Sequence, residues 1–405
     1  MKYVVVLGDG MADWKIESLG AKTCLEYART PNIDSLAPLS EAGMFRTVPE
    51  GFKPGSDVAN MSVMGFNPKK YYTGRSPLEA VAMGIGLKDT DVTLRANLVT
   101  LAGDGAYEEK TMADYSAGEI TTKEARELIE YLKKELDGDG FTLYPGISYR
   151  HCLVAENGVT GHELTPPHDI SDKKITDYLP KGRCADRYLA LMKRSYELLK
   201  DHPVNVARVK AGKNPANSLW LWGEGTKPML ENFTQKTGLK GGVISAVDLV
   251  KGISILAGMK FIPVEGATGN YDTNFKAKAE AAADALICGG LDYVYIHMEA
   301  PDECGHHGDV EHKVFSIEQI DGLVVKTLTE RLKAAGEDFC MLICPDHPTP
   351  CAIKTHISDP VPYLLYCSKT NLSNGATRYT EDEAAATGKF ISEGYTLIDR
   401  MLSIK

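Results

Sequence analysis

Residues 339–351 read FCMLICPDHPTPC. Six apolar residues, Phe339 to Cys344, run without interruption and then stop at Asp346 and His347, set between prolines. An unbroken apolar run of this length suits a strand covered on both faces, as in a parallel sheet. Its end delivers two metal-capable side chains to the carboxyl edge of a strand, where open parallel sheets form their sites. The framing thiols, Cys344 and Cys351, read as core or loop cysteines. Cysteine zinc sites show short paired spacings, and no CxxC pair occurs among the nine cysteines.

The same grammar recurs elsewhere. KYVVVLG (2–8) is a second continuous apolar run and ends at Asp9-Gly10. DYVYIHMEAPDECGHHGD (292–309) supplies Asp302 and His306, four residues apart, and THISDP (355–360) adds His356. His297, His307 and His312 read as supporting or surface histidines. A seventh candidate, Ser56, sits in PGSDVANMSVMGF (54–66), where Pro54-Gly55 turns the chain and Ser56-Asp57 opens a helix. Serine is a common N-cap. A hydroxyl at that position also meets free backbone N–H groups and the positive end of the helix dipole, which favour an alkoxide and a phosphate bound to it. Asp and His ligation suits zinc or manganese, and seven donors exceed one tetrahedral ion, so two ions are the natural count.

Strand–helix alternation at both ends of the chain predicts an α/β fold with a mostly parallel sheet and helices on both faces. The expected boundaries are 1–75 together with 240–405 for this discontinuous domain, and 76–239 for an inserted α+β domain. Within the insert, DVTLRANLVTL, SYRHCLVAENG and NSLWLWGEG read as strands, and TTKEARELIEYLKKEL and ADRYLALMKRSYELLKD as amphipathic helices. Near the start, Thr30 and Pro31 predict a helix that closes at Gly43.

Composition narrows the classes. The chain has 405 residues, 43% hydrophobic and 25% charged, with a formal net charge of −10. That balance argues against non-specific nucleic-acid binding, which needs a basic footprint. It leaves anionic substrates open, because a local cluster of arginines and metal reverses the field in a cleft. No run approaches the ~18 apolar residues of a membrane span. The N-terminal apolar run is too short for a signal peptide, and the odd, dispersed cysteines fit a reduced, cytoplasmic protein. Oligomeric state is left open.

GDGM, TPNID, PGSDVANMS, GRSPLEA, GATGNYDTN, APDECGH, PDHPTPC and THISDPVP, taken together and in this order, resemble the alkaline phosphatase superfamily. Within it they resemble the cofactor-independent phosphoglycerate mutases of archaeal type, over most of the chain. The resemblance implies two divalent ions, manganese or zinc, and no 2,3-bisphosphoglycerate. It assigns Asp9, Ser56, Asp346 and His347 to one ion, and Asp302, His306 and His356 to the other. Ser56 would be the nucleophile, taking the phosphoryl group of 3-phosphoglycerate and returning it to give 2-phosphoglycerate. A small phosphorylated metabolite is the implied partner, and the inserted domain would bind its anionic groups. Arg95, Arg150, His151 and His168 are the candidates there, with Arg75 behind them; bidentate carboxylate recognition favours Arg.

Asn60 departs from the pattern, since the mutases generally carry His four residues after the nucleophile. Asparagine hydrogen-bonds but carries no proton near neutral pH. PGSDVAN, WLWGEG, EAPDE and PDHPTP also resemble a subgroup proposed as homoserine kinases of threonine biosynthesis. No GxxxxGK[ST] loop is present, so such a kinase would work through metal and phosphoserine. A plain metal-dependent phosphatase is the third reading.

Overall fold

The computed structural model describes residues 1–404. The chain forms two compact units, one of residues 1–72 and 229–404 and one of residues 73–228.

The first unit is built on an eight-stranded sheet. In spatial order its strands are Phe390–Ile391, Glu41–Phe45, Val361–Cys367, Phe339–Cys344, Lys2–Gly8, Tyr293–Met298, Gly241–Ile244 and Lys260–Phe261. Only Val361–Cys367 runs antiparallel to its two neighbours; every other pairing is parallel. The central strands are buried along nearly their whole length. Helices including Phe275–Ile287, Val310–Gln319 and Lys326–Ala334 cover them with a continuous apolar core. The mostly parallel α/β class read from the apolar runs is therefore the class observed.

Register positions the functional end. Lys2–Gly8 lies between its two parallel neighbours with Leu7 opposite Cys344 and Gly8 opposite Met298. Three strands thus finish at the same level, and the residues that follow them emerge at one edge. One expectation fails here. The helix at Pro31 ends at Leu36, a 3₁₀ turn carries Pro38, and Gly43 lies inside the strand Glu41–Phe45 rather than at a helix end. Pro38 removes the N–H that would have continued the helix.

The second unit is a five-stranded antiparallel sheet. Its long central strand, Val92–Ala102, pairs with Arg150–Ala155, Ser218–Thr226 and Thr111–Asp114, while Phe141–Ile147 pairs with Arg150–Ala155. Helices Thr122–Leu136 and Ala185–Leu199 pack their apolar stripes on it; the first opens with a capping box of Thr121 and Glu124. No helix among the described residues is long and apolar enough to cross a membrane.

Candidate metal centre

The strand ends converge. Asp9, one residue past the first strand, is buried, as are Asp346 and His347 two and three residues past Cys344. His347 Nε2 lies 3.5 Å from Asp9 Oδ1 and 3.4 Å from Asp346 Oδ2. Gly10 makes this approach feasible. Its φ is +60°, and a Cβ there would come within 2.5 Å of Asp302 Oδ1 and 2.6 Å of Thr349 Oγ1. Its N–H donates to Asp346 Oδ1 at 3.1 Å.

Ser56 is the first residue of the helix Ser56–Val63, next to its N-cap Gly55. Its Oγ lies 3.1 Å from His347 Nε2, so residues 291 positions apart in sequence meet. The second cluster comes from the helix Ala300–His307, where Asp302 and His306 fall on one face. Asp302 Oδ2 is 3.3 Å from His306 Nε2, Asp302 Oδ1 is 3.3 Å from His356 Nε2, and the two Nε2 atoms are 2.8 Å apart. The His347 and His356 rings lie 4.0 Å apart, so the two clusters adjoin. All seven candidates of the first unit are therefore brought together.

The donor set fits divalent cations. Asp9 Oδ1 is buried and has no hydrogen-bond partner. Burial, then the nearby charges of Asp346, Asp302 and Glu299, push the Asp9 carboxyl well above its ordinary range, the signature of crowded carboxylates lacking a counter-charge. Against burial, hydrogen bonds from His306 and His356 hold Asp302 well below its ordinary value. Two groups of three ligand atoms each lie within 4.8 Å of one another, Asp9/Asp346/His347 and Asp302/His347/His356. His306 bonds the Lys354 carbonyl at 3.0 Å through Nδ1, which orients the ring so that Nε2 faces the cluster.

Supporting residues surround the clusters; of these Tyr295, Thr349 and Lys313 escaped the sequence reading, while His297 was read as a supporting or surface histidine. Asn60 donates to Asp346 Oδ2 at 2.7 Å and to the Ser56 carbonyl at 2.9 Å, and accepts from Tyr295 Oη at 2.6 Å. His297 bonds Asp9 Oδ2 at 2.8 Å, and burial drives its pKa down to about 3, so it is neutral. Thr349 donates to Asp302 and sits 3.2 Å from His347 Nδ1. Lys313, wholly buried, ties the loops together by donating to Asp13 Oδ2 at 2.8 Å and to the Thr349 carbonyl at 2.8 Å. The alternation in YVYIHM carried a signal for two of these. Tyr295 and His297 are polar, two apart, and so point to one face of a buried strand. His307 and His312 stand aside, on Glu303 and Asp309. Cys344 and Cys351 are buried free thiols.

The candidates of the second unit divide. Arg95 is mostly buried, pairs with Glu79 at 3.0 Å and lies 4.2 Å from the centre of the Trp222 ring. Arg75 takes the other Glu79 oxygen at 2.8 Å. His168 rests between Tyr115 and Trp222. Arg150, exposed, lies over the Tyr149 ring. His151 does not join them. It pairs with Ala96 while Arg95 pairs with Cys152, which turns His151 to the other face of the sheet. It is buried there and kept neutral with a pKa of about 3.

A mostly parallel α/β sheet that gathers Asp and His at its carboxyl edge, against a serine opening a helix, defines an α/β protein with a candidate divalent-metal centre. Comparison with known proteins narrows the class. A profile described as 2,3-bisphosphoglycerate-independent phosphoglycerate mutase matches residues 37–205. The chain is 48% identical to a probable 2,3-bisphosphoglycerate-independent phosphoglycerate mutase of Geobacter sulfurreducens, over 99% of this chain and all of that protein. It is also 48% identical to the enzyme so named from Methanothrix thermoacetophila, over the full length of both. A cofactor-independent phosphoglycerate mutase of known structure from Thermoplasma acidophilum superposes with a TM-score of 0.67 at 26% identity, over all of both chains. The chain belongs to the 2,3-bisphosphoglycerate-independent phosphoglycerate mutase family.

Proposed function

We propose that this protein interconverts 3-phosphoglycerate and 2-phosphoglycerate through a phosphoserine at Ser56, with two divalent ions and without 2,3-bisphosphoglycerate. The observation that carries the reading is the 3.1 Å approach of Ser56 Oγ to His347, at the junction of two carboxylate–imidazole clusters. Asp9, Ser56, Asp346 and His347 would hold one ion and Asp302, His306 and His356 the other. Bound ions would lower the pKa of the serine hydroxyl and neutralise phosphoryl oxygens.

The chain's own groups do the rest. Ser56 supplies the attacking oxygen at a helix start, where free N–H groups favour the phosphorylated side chain. Asn60 holds Asp346 in one orientation, and Tyr295 holds Asn60. His297 orients Asp9. Arg95, Arg150, Arg75 and His168 are cationic or hydrogen-bonding groups suited to the carboxylate and phosphate of such a metabolite.

One observation favours a second reading. Asn60 is saturated by Asp346 and Tyr295 and carries no proton, so no acid–base group stands one helical turn from the nucleophile. A phosphotransferase that passes the phosphoryl group from Ser56 to another hydroxyl, that of homoserine, fits this arrangement. A manganese-loaded enzyme given 3-phosphoglycerate should form 2-phosphoglycerate in a coupled assay. Mass spectrometry should then find a phosphoryl group on the Ser56 peptide. Turnover of homoserine with ATP but not of 3-phosphoglycerate would replace the mutase by the kinase.

A further inference from the structure

The helix Ser56–Val63 offers its first residue to the metal centre, and its far end closes a separate cleft of about 320 Å³ within the same unit. Ser62 lines this cleft. It is 1% exposed, and its Oγ has no hydrogen-bond partner. A buried hydroxyl left unpaired costs on the order of 1–3 kcal/mol, so a ligand group that reaches it is rewarded.

Charge makes the cleft specific. Arg46 and Lys69 contribute two cations, and Glu50 and Glu393 two carboxylates. Among the described residues none of these four side chains takes part in an ion pair. Oppositely charged groups that share a cleft without pairing are matched by a ligand carrying both signs. A dianion would meet the two carboxylates, and a simple cation would meet the guanidinium. Phe390 and the Tyr395 ring add apolar surface, with the Tyr395 phenol held by the side chains of Glu393 and Asn67. The wall at Gly394 is bare because a Cβ there would come 2.3 Å from the Arg46 carbonyl oxygen. The volume stands at the small end of ligand pockets, roughly 300–1,000 Å³, and suits a molecule of few heavy atoms.

We propose that this cleft binds a small polar α-amino acid. Its carboxylate takes the planar fork of Arg46, with Lys69 beside it, and its ammonium group takes Glu393 and Glu50. Its side-chain hydroxyl or amide reaches Ser62. A ligand held there touches the helix that begins at Ser56.

Titration calorimetry on the full-length, manganese-loaded protein, with each of the twenty standard amino acids and no phosphoglycerate present, tests this. At least one of serine, threonine, asparagine and aspartate should saturate a single site. Arg46→Ala and Glu393→Gln should each weaken that binding at least tenfold, and Ser62→Ala by about threefold. Loss with Arg46→Ala but none with Glu393→Gln would make the ligand a plain anion and overturn the proposal. So would the absence of saturation by any amino acid, or binding that ignores both variants. The variants' thermal melts should match wild type, since neither side chain is ion-paired in the fold; Glu393→Gln, which retains an acceptor for Tyr395, stands as the test if Arg46→Ala folds poorly. Binding is read without turnover, so its failure leaves the phosphoryl-transfer reading standing, and the reverse also holds.

Discussion

The two units handle charge in opposite ways. At the carboxyl edge of the first unit's sheet, four buried residues, Asp9, Asp302, Asp346 and His347, crowd together, and one oxygen of Asp9 has no hydrogen-bond partner. On the second unit's sheet, Arg95 and Arg75 share Glu79, and Arg95 lies on Trp222. The first arrangement is electrostatically incomplete until positive charge enters. The second is already paired as it stands, and on the proposed function it would take an anion with the guanidinium N–H groups that Glu79 leaves over. On the proposed function, a region of the first kind would lose its activity when any member is removed, because the members would hold the two ions jointly. A region of the second kind degrades by steps.

The largest effect belongs to the nucleophile and the ligands around it. Ser56→Ala should lower kcat by at least ~10⁴ and abolish the phosphorylated Ser56 peptide, with the fold retained. Asp302→Asn should do comparable damage by a different route. Metal content measured by plasma emission should fall from two ions per chain to one, and chelator should then cause a smaller drop in Tm than it does in wild type. A variant that keeps two tightly held ions and full turnover would remove Asp302 from the centre and break the joint-action side of the comparison.

Burial alone does not make a carboxylate site, and Glu381 shows why. Burial pushes its pKa up to about 7, yet both oxygens are satisfied, by the Asp13 N–H at 3.3 Å and the Thr23 hydroxyl at 2.7 Å. Its folded pKa lies above the ordinary 4.5. The folded state therefore holds the proton more tightly, and stability falls as pH rises from 4.5 through about 7. Glu381→Gln, the isostere of the protonated acid, keeps one acceptor oxygen and removes the titration. It should stabilise the protein by roughly 3 kcal/mol at pH 8 and by almost nothing at pH 4, read from urea melts at the two pH values. An equal gain at both would show that ionisation is not what the glutamate costs.

Much of this was legible in the chain. KYVVVLG and FCMLIC read as buried parallel strands because they are apolar without alternation, and the Asp and His types at their ends stood out as donors. What could not be read was register. That Leu7 lies opposite Cys344 and Gly8 opposite Met298 depends on pairing across hundreds of residues, and with it go the meetings of Tyr295 with Asn60 and of Thr349 with Asp302. Phe141–Ile147 went unread as a strand because Pro145 and Gly146 interrupt it, where its register with Arg150–Ala155 shifts. The face of His151 was hidden for a related reason. Beside Arg150 in sequence it looks like a second cation, but in a strand adjacent residues point apart.

The smallest expected effect falls on the second unit. Arg95 presents a flat guanidinium over Trp222, and the indole is itself fixed by its N–H donating to Asn97 Oδ1 at 3.0 Å. Glu79 holds the Nε edge, which leaves the remaining N–H groups of the fork for a carboxylate. Lysine keeps the charge and the Glu79 partner but loses the stack and the second donor. Arg95→Lys should therefore raise KM for 3-phosphoglycerate about tenfold while kcat stays within twofold, the pattern of an interaction made equally in ground and transition states. Raising ionic strength should widen the gap between variant and wild type, since a point charge is screened more readily than a stacked, bidentate one. If kcat falls a hundredfold instead, Arg95 acts on the transition state, and the division into a region that reacts and a region that only holds fails at this residue.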